Sequence, residues 1–177
     1  MQKRGEKPEP GRRAEPLRAE AGRLAAACRA RGMRFGAAES CTGGLIGATV
    51  TAVPGVSDVF AGGIVSYAND VKERCLGVPA ETLRRHGAVS AETALAMAEG
   101  ARRALGCDAA VAVTGIAGPG GAVPGKPVGT VYVAASAGNA PAEVRRFDFG
   151  SGRTRGSIRR STVRAALRLL AERIRAV

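Results

Sequence analysis

The chain has 177 residues, a size typical of a single domain with a sizeable apolar core. It contains no run of 18 apolar residues, and its polar N-terminus lacks the apolar stretch of a signal peptide. The four cysteines form no C-x-x-C pair and no cluster with histidine. This pattern argues against structural zinc and a disulfide framework, and it favours a reducing cytoplasm.

The net charge of +12 is concentrated at the two ends of the chain. Residues 1–34 carry 10 basic and 4 acidic groups, and residues 145–177 carry 10 basic and 2 acidic groups. Such ends are typical of solvated arginine-rich helix faces, and they leave a nucleic-acid-associated protein as an alternative. Aromatic residues make up only 3% of the chain, which argues against a stacking platform for nucleic acid.

Apolar spacing, caps and turn residues predict the elements in chain order. Residues 1–16 are expected to form a disordered basic tail and residues 17–177 a single domain. The predicted helices cover residues 17–30, a run starting at 43, 69–76, 79–85, 91–105 and 154–176. The predicted strands cover residues 33–38, 60–67, 108–114, 128–135 and 144–149.

This alternation favours an α/β fold, a three-layer α/β/α sandwich around a mixed, mostly parallel sheet. One antiparallel strand is expected where a short Gly-Asn loop joins the last two strands. In such sheets ligands bind at the carboxyl ends of the strands. Three segments follow strands and are predicted to meet there: residues 39–44, 67–72 and 114–121.

Ser40 and Cys41 lie at the turn from the first strand into the second helix. Either side chain could serve as a nucleophile, because a helix start offers free N–H groups and a positive dipole end to a developing oxyanion. The N–H groups of Cys41 to Gly43 are the candidates for that role. An ordinary turn with Ser or Thr as the helix cap is the alternative.

Lys72 is conspicuous because 23 of the 27 basic residues are arginines. Two other lysines lie in the tail and one lies in the Gly/Pro loop. Burial can make a lysine amine neutral and therefore a base, whereas arginine keeps its proton. The alternative is a surface lysine paired with Glu73 or Asp70.

The only histidine, His86, stands at the end of a predicted helix, where we expect it to contact the last carbonyls. Because the one histidine is expected at that helix end, Cys41 lacks a histidine partner. We expect Cys41 to pack in the core or to donate its backbone N–H. Ser40 with Lys72 is therefore the best pair of nucleophile and base.

Five ordered segments resemble the successive motifs of the CinA C-terminal domain family: residues 38–44, 67–72, 86–90, 114–119 and 126–131. The resemblance extends from about residue 17 to the end of the chain. The family's stand-alone members are nicotinamide mononucleotide deamidases, which act in pyridine nucleotide recycling. The resemblance thus implies an α/β/α domain that hydrolyses the carboxamide of nicotinamide mononucleotide to nicotinate mononucleotide and ammonia, without a metal or other cofactor.

The resemblance also implies site residues. The family's catalytic serine, tyrosine and lysine fall on Ser40, Tyr67 and Lys72. Its Gly-Asp-Arg motif is altered to residues 152–155, and the spacing to the following Ile-Arg pair favours Arg155 over Arg153 as the matching arginine. The predicted oxyanion-binding and substrate-binding residues are Cys41, Thr42, Gly43, Gly44, Asn69, Thr114, Gly115, Gly118 and Arg155.

Expected partners are a small-molecule substrate, nicotinamide mononucleotide, and further copies of the chain in a homo-oligomer. Membrane and nucleic acid are not expected partners. The main alternative is a non-catalytic interaction module with the same fold, although such a module has no need of serine, tyrosine and lysine together.

Overall fold

Five strands and six α-helices alternate along residues 15–177, the part of the chain that this computed structural model describes. The helices are α1 (Glu15–Arg31), α2 (Leu45–Thr51), α3 (Asn69–Leu76), α4 (Ala80–His86), α5 (Ala91–Leu105) and α6 (Arg155–Ala176). The strands are β1 (Phe35–Glu39), β2 (Phe60–Val65), β3 (Ala109–Gly115), β4 (Thr130–Ala137) and β5 (Glu143–Asp148). The predicted order of elements is confirmed.

The strands form one sheet in the order β2-β1-β3-β4-β5. Strand β1 pairs in parallel with both β2 and β3, whereas β4 is antiparallel to its neighbours β3 and β5. Four strands therefore point the same way and only β4 opposes them. This arrangement confirms the mixed, mostly parallel sheet with one antiparallel strand.

Helices cover both faces of the sheet, because successive residues of a strand point to opposite sides. Ala37 belongs to the core that the sheet forms with α1, α2 and α6, and the next residue, Ala38, belongs to the core with α3, α4 and α5. The predicted three layers are thus confirmed. No helix within residues 15–177 is long and apolar enough to cross a membrane.

Element ends differ from the predictions at particular residues. Helix α1 already begins at Glu15, so the last two residues of the predicted tail are helical, while residues 1–14 lie outside the described residues. Strand β2 ends at Val65 rather than at Tyr67. The carbonyls of Ser66 and Tyr67 accept hydrogen bonds from a side chain of α3 and add no further bond to the ladder.

Gly100 allows α5 to pack closely on the end of α3, and this contact supports a prediction about stability. A Cβ at Gly100 would lie 2.8 Å from the carbonyl carbon of Leu76 and closer still to its oxygen. Gly100→Ala should therefore cost about 1–3 kcal/mol of unfolding free energy through overpacking. Thermal unfolding followed by circular dichroism should show a fall in Tm of about 5 °C.

The matched control is Gly22→Ala on α1, where a Cβ would meet nothing within 4 Å. It should gain about 0.5–1 kcal/mol, because alanine loses less backbone entropy than glycine in a helix. Equal Tm values for the two variants would contradict the packing argument.

Candidate active site

The ends of β1, β2 and β3 lie side by side at one edge of the sheet. Glu39, the last residue of β1, is level with Val65 of β2 and Val113 of β3. The ladder continues for one more step, since the N–H of Ser40 donates to the Val113 carbonyl at 3.1 Å and that of Ser66 to the Glu39 carbonyl at 2.8 Å. The segments that follow these strands therefore begin at the same edge.

Lys72 reaches this edge from the first turn of α3. Its Nζ lies 3.4 Å from Ser40 Oγ, 2.8 Å from the Ser66 carbonyl oxygen and 3.2 Å from the Tyr67 carbonyl oxygen. The lysine side chain is buried, with 1% of the residue exposed, whereas Ser40 is half-buried and open to solvent. The structure thus places the predicted nucleophile and the predicted base within hydrogen-bond distance.

Burial lowers the pKa of the Lys72 ammonium from the ordinary lysine value, because the charged form loses its hydration. A neutral amine has two N–H donors and one lone pair. The charged form donates to all three oxygens. In the neutral form the two backbone carbonyls match the two N–H donors, and the lone pair then faces the hydroxyl of Ser40. This geometry suits an amine that accepts the proton of the serine hydroxyl.

The alternatives to Ser40 and Lys72 have unsuitable surroundings. Cys41 is 5% exposed, and burial raises the pKa of its thiol to about 12, which disfavours the nucleophilic thiolate. His86 does not contact the last carbonyls of α4 as expected. Its Nδ1 instead lies 3.5 Å from a carboxylate oxygen of Glu92, which the following helix brings close.

The turn after Ser40 is wider than predicted because Gly43 and Gly44 adopt positive φ angles of 56° and 90°. Helix α2 therefore begins at Leu45 rather than at residue 43. The Gly43 N–H donates to the Ser40 carbonyl at 3.1 Å. Contrary to the prediction, it is therefore not free to bind an oxyanion. Within residues 15–177, the N–H groups of Cys41 and Thr42 donate to no other residue. Thr42 is fully buried, whereas Cys41 is 5% exposed, so the Cys41 N–H is the donor that a ligand can reach.

Glu39 caps helix α2 from inside the protein. Its carboxylate accepts the N–H groups of Ile46 at 3.0 Å and Gly47 at 2.9 Å, and the residue is 1% exposed. The carboxylate satisfies two of the four N–H groups that a helix leaves unpaired at its start. It also offsets the positive dipole end of α2, which reduces the attraction of the helix dipole for an anion at this turn.

Arg155, in the first turn of α6, links two further segments of the site. It donates to the Gly118 carbonyl at 2.7 Å and to the Tyr67 hydroxyl oxygen at 3.0 Å. Tyr67 is 60% exposed, and its own O–H remains able to donate. Arg153 instead donates to Ser161 at 3.0 Å, so of these two arginines Arg155 is the one that contacts Tyr67 and Gly118.

Arg159 is a site residue that sequence reasoning missed. It lies one turn after Arg155 on α6, and its Nε donates to the carbonyl of Thr42 at 3.1 Å, with a second donation from Nη2. The available signal was its spacing of four residues from Arg155, which places both side chains on one face of the predicted helix.

The remaining predicted residues lie at the same edge but differ in what they offer. Thr114 is buried, and its hydroxyl donates to the Ala88 carbonyl at 2.6 Å, so it holds the loop before α5 and is not a free donor. Asn69 is the first residue of α3 and is exposed. Gly115 is the last residue of β3. Across residues 15–177, no three His, Cys, Asp or Glu side chains are grouped to hold a metal.

The fold and this edge define an α/β/α domain with a buried lysine beside a serine at a strand-to-helix turn. The model of the CinA C-terminal domain matches residues 18–174, and the chain belongs to that family. A CinA-like protein of Parasynechococcus marenigrum is 53% identical over 128 residues, which are 72% of this chain and 30% of that protein. This chain therefore spans less than a third of the length of the curated relatives it matches.

Solved structures give the same result for the fold. The competence/damage inducible protein CihA from Agrobacterium tumefaciens has a TM-score of 0.83 at 44% identity, with 86% of this chain and 92% of that chain covered. A CinA superfamily protein from Klebsiella pneumoniae has a TM-score of 0.85 at 34% identity, with 91% and 99% covered. This chain is thus similar over nearly its whole described length to structures of the CinA superfamily.

Proposed function

We propose that this protein hydrolyses the carboxamide of nicotinamide mononucleotide to nicotinate mononucleotide and ammonia. The observation that carries the proposal is the buried amine of Lys72, 3.4 Å from Ser40 Oγ and bonded to two backbone carbonyls. The choice of substrate rests on the resemblance to stand-alone members of the CinA C-terminal domain family.

In the proposed mechanism, Ser40 Oγ attacks the amide carbon while neutral Lys72 takes the hydroxyl proton. The N–H group of Cys41 stabilises the oxyanion of the tetrahedral intermediate. Lys72 then delivers its proton to the amide nitrogen, which leaves as ammonia and yields an acyl ester on Ser40. A water molecule, deprotonated by Lys72, attacks this ester, and Lys72 returns the proton to Ser40 Oγ as the acid product leaves and ionises to the carboxylate.

Substrate recognition is assigned to Arg155 and Tyr67. The guanidinium of Arg155 is exposed, and its fork of donors suits the two oxygens of a phosphate group. The ring of Tyr67 is exposed next to Lys72 and offers a face to the pyridine ring of the substrate, while its hydroxyl positions or relays a proton. The basic C-terminal segment attracts the anionic substrate.

The test of this function is ammonia release from purified protein incubated with nicotinamide mononucleotide, with nicotinate mononucleotide identified by mass spectrometry. Ammonia release with the matching acid product would support the proposal. Binding of the nucleotide without turnover would instead support a non-catalytic module, and absence of both would overturn the proposed substrate.

Ammonia release should persist after exhaustive chelation, because the proposed chemistry needs only an activated hydroxyl and a base. The measurement compares kcat before and after EDTA treatment and gel filtration. We expect kcat to change by less than about twofold, whereas a tenfold loss would mean a barrier raised by roughly 1.4 kcal/mol. Loss of activity that a divalent ion restores would contradict the proposed mechanism.

A further inference from the structure

The turn from Ser40 to Leu45 contains two consecutive glycines at positive φ, Gly43 and Gly44. Glycine has a wide choice of backbone conformations, so the peptide units on either side of it rotate easily unless something holds them. Catalysis at this turn requires N–H groups fixed in advance, because donors that must reorganise during the reaction stabilise an oxyanion less. Two hydrogen bonds within the turn hold it in part: the Gly43 N–H donates to the Ser40 carbonyl at 3.1 Å and the Leu45 N–H to the Thr42 carbonyl at 3.3 Å. Anchors outside the turn fix it further.

The structure provides one anchor on each side of the two glycines. On the helix side, Glu39 holds the N–H groups of Ile46 and Gly47. On the strand side, Arg159 donates from both Nε and Nη2 to the Thr42 carbonyl, and Nη2 lies 3.7 Å from where a Cβ of Gly43 would be. The second anchor comes from α6, 117 residues further along the chain.

We propose that Arg159 is a positioning residue for the oxyanion site: its paired hydrogen bonds to the Thr42 carbonyl fix the turn so that the N–H group of Cys41 stays free. Thr42 is fully buried, and its carbonyl also accepts the N–H of Leu45 at 3.3 Å. When the guanidinium is removed, this long bond within the turn is the one that still holds the carbonyl. The peptide is then free to rotate, which moves the neighbouring Cys41 N–H away from the oxyanion.

This inference rests on the proposed function, and it gives Arg159 a different role from Arg155. Arg155 reaches the exposed Tyr67 hydroxyl at the mouth of the site, whereas Arg159 is half-buried against the turn. A residue that binds the substrate phosphate affects chiefly KM, and a residue that prepares the transition-state donors affects chiefly kcat.

The experiment compares Arg159→Ala and Arg159→Lys with Arg160→Ala, which changes the next arginine in the sequence, one that lines a different groove together with Leu17. For each variant we would measure kcat and KM for ammonia release, and the rate at which a fluorophosphonate labels Ser40, followed by intact mass. The label forms an O–P bond to Ser40 and expels fluoride, and its phosphoryl oxygen takes the oxyanion position.

Arg159→Ala should lower kcat and the labelling rate about 10²-fold each, with KM within about threefold of the wild-type value. The pH at which kcat/KM reaches half its plateau should stay unchanged, since Lys72 keeps its surroundings. Arg159→Lys should recover part of the loss, because an ammonium donates to one carbonyl without the paired geometry. Arg160→Ala should match the wild type in both assays.

Equal rates for Arg159→Ala and Arg160→Ala, or a loss confined to KM, would overturn the proposal. If the wild type labels at Ser40 but releases no ammonia, the proposed substrate is wrong and the labelling rates alone decide the role of Arg159. If Ser40 does not label in the wild type, both proposals are wrong. Should Arg159→Ala fail to fold, Arg159→Lys carries the same comparison.

Discussion

Replacing Lys72 with arginine should reduce kcat for ammonia release by about 10³-fold, although the positive charge is kept. The reason is that guanidinium cannot give up its proton, so it cannot accept one from Ser40. Circular dichroism should confirm that the variant folds. The matched control is Lys126→Arg, since Lys126 is the other lysine among the described residues and donates only to the His86 carbonyl.

The pH dependence tests the same role of Lys72 in the unmodified protein. Burial lowers the pKa of its ammonium, and only the neutral amine acts as a base. The logarithm of kcat/KM should therefore rise with pH and level off above a pKa that lies below the ordinary lysine value. If Lys72 acted only as a positive charge for the substrate phosphate, Lys72→Arg would stay within about tenfold of wild-type kcat, roughly 1.4 kcal/mol in the barrier. That result would exclude Lys72 as the general base.

Ser40→Ala should abolish ammonia release while leaving the fold intact, because it removes the proposed nucleophile and only one oxygen atom. We expect a loss of at least about 10⁴-fold, comparable with removal of a nucleophile in other covalent hydrolases. The measurements are kcat by ammonia detection and Tm by circular dichroism. Ser151→Ala, at an exposed serine away from the turn, is the control and should behave as the wild type.

Cys41→Ala separates the two neighbouring nucleophile candidates. The buried thiol, whose pKa is raised to about 12, should be replaceable with activity within about tenfold of wild type, since alanine keeps the backbone N–H. An inactive Cys41→Ala beside an active Ser40→Ala would show that the cysteine is the nucleophile.

Local sequence signals were sufficient where the physical cause is local. Helix α3 occupies residues 69–76 as predicted, and α5 begins after Ser90, whose hydroxyl accepts the N–H of Thr93, and ends at Gly106 with a φ of 56°. Caps and apolar spacing act within one or two turns, so a single sequence reveals them. The same holds for β3, whose residues are buried on both faces.

Chemical reasoning on residue types also identified Ser40 and Lys72 as a pair before any geometry was known. The small number of candidate bases made this inference possible, because the chain has one histidine and four lysines. The sequence could not give their separation, since the two residues are 32 positions apart and meet only because β1 and β2 are neighbours in the sheet.

The amino-acid sequence by itself determined the order of elements, the three-layer α/β/α class and the residue types on which the proposed chemistry rests. The tertiary structure alone decided the strand order and the capping of α2 by Glu39. It also decided that Gly43, Thr114 and Arg159 donate hydrogen bonds to backbone carbonyls. These features depend on groups far apart in the chain. Which donor satisfies a buried carbonyl is settled only when all the elements pack together.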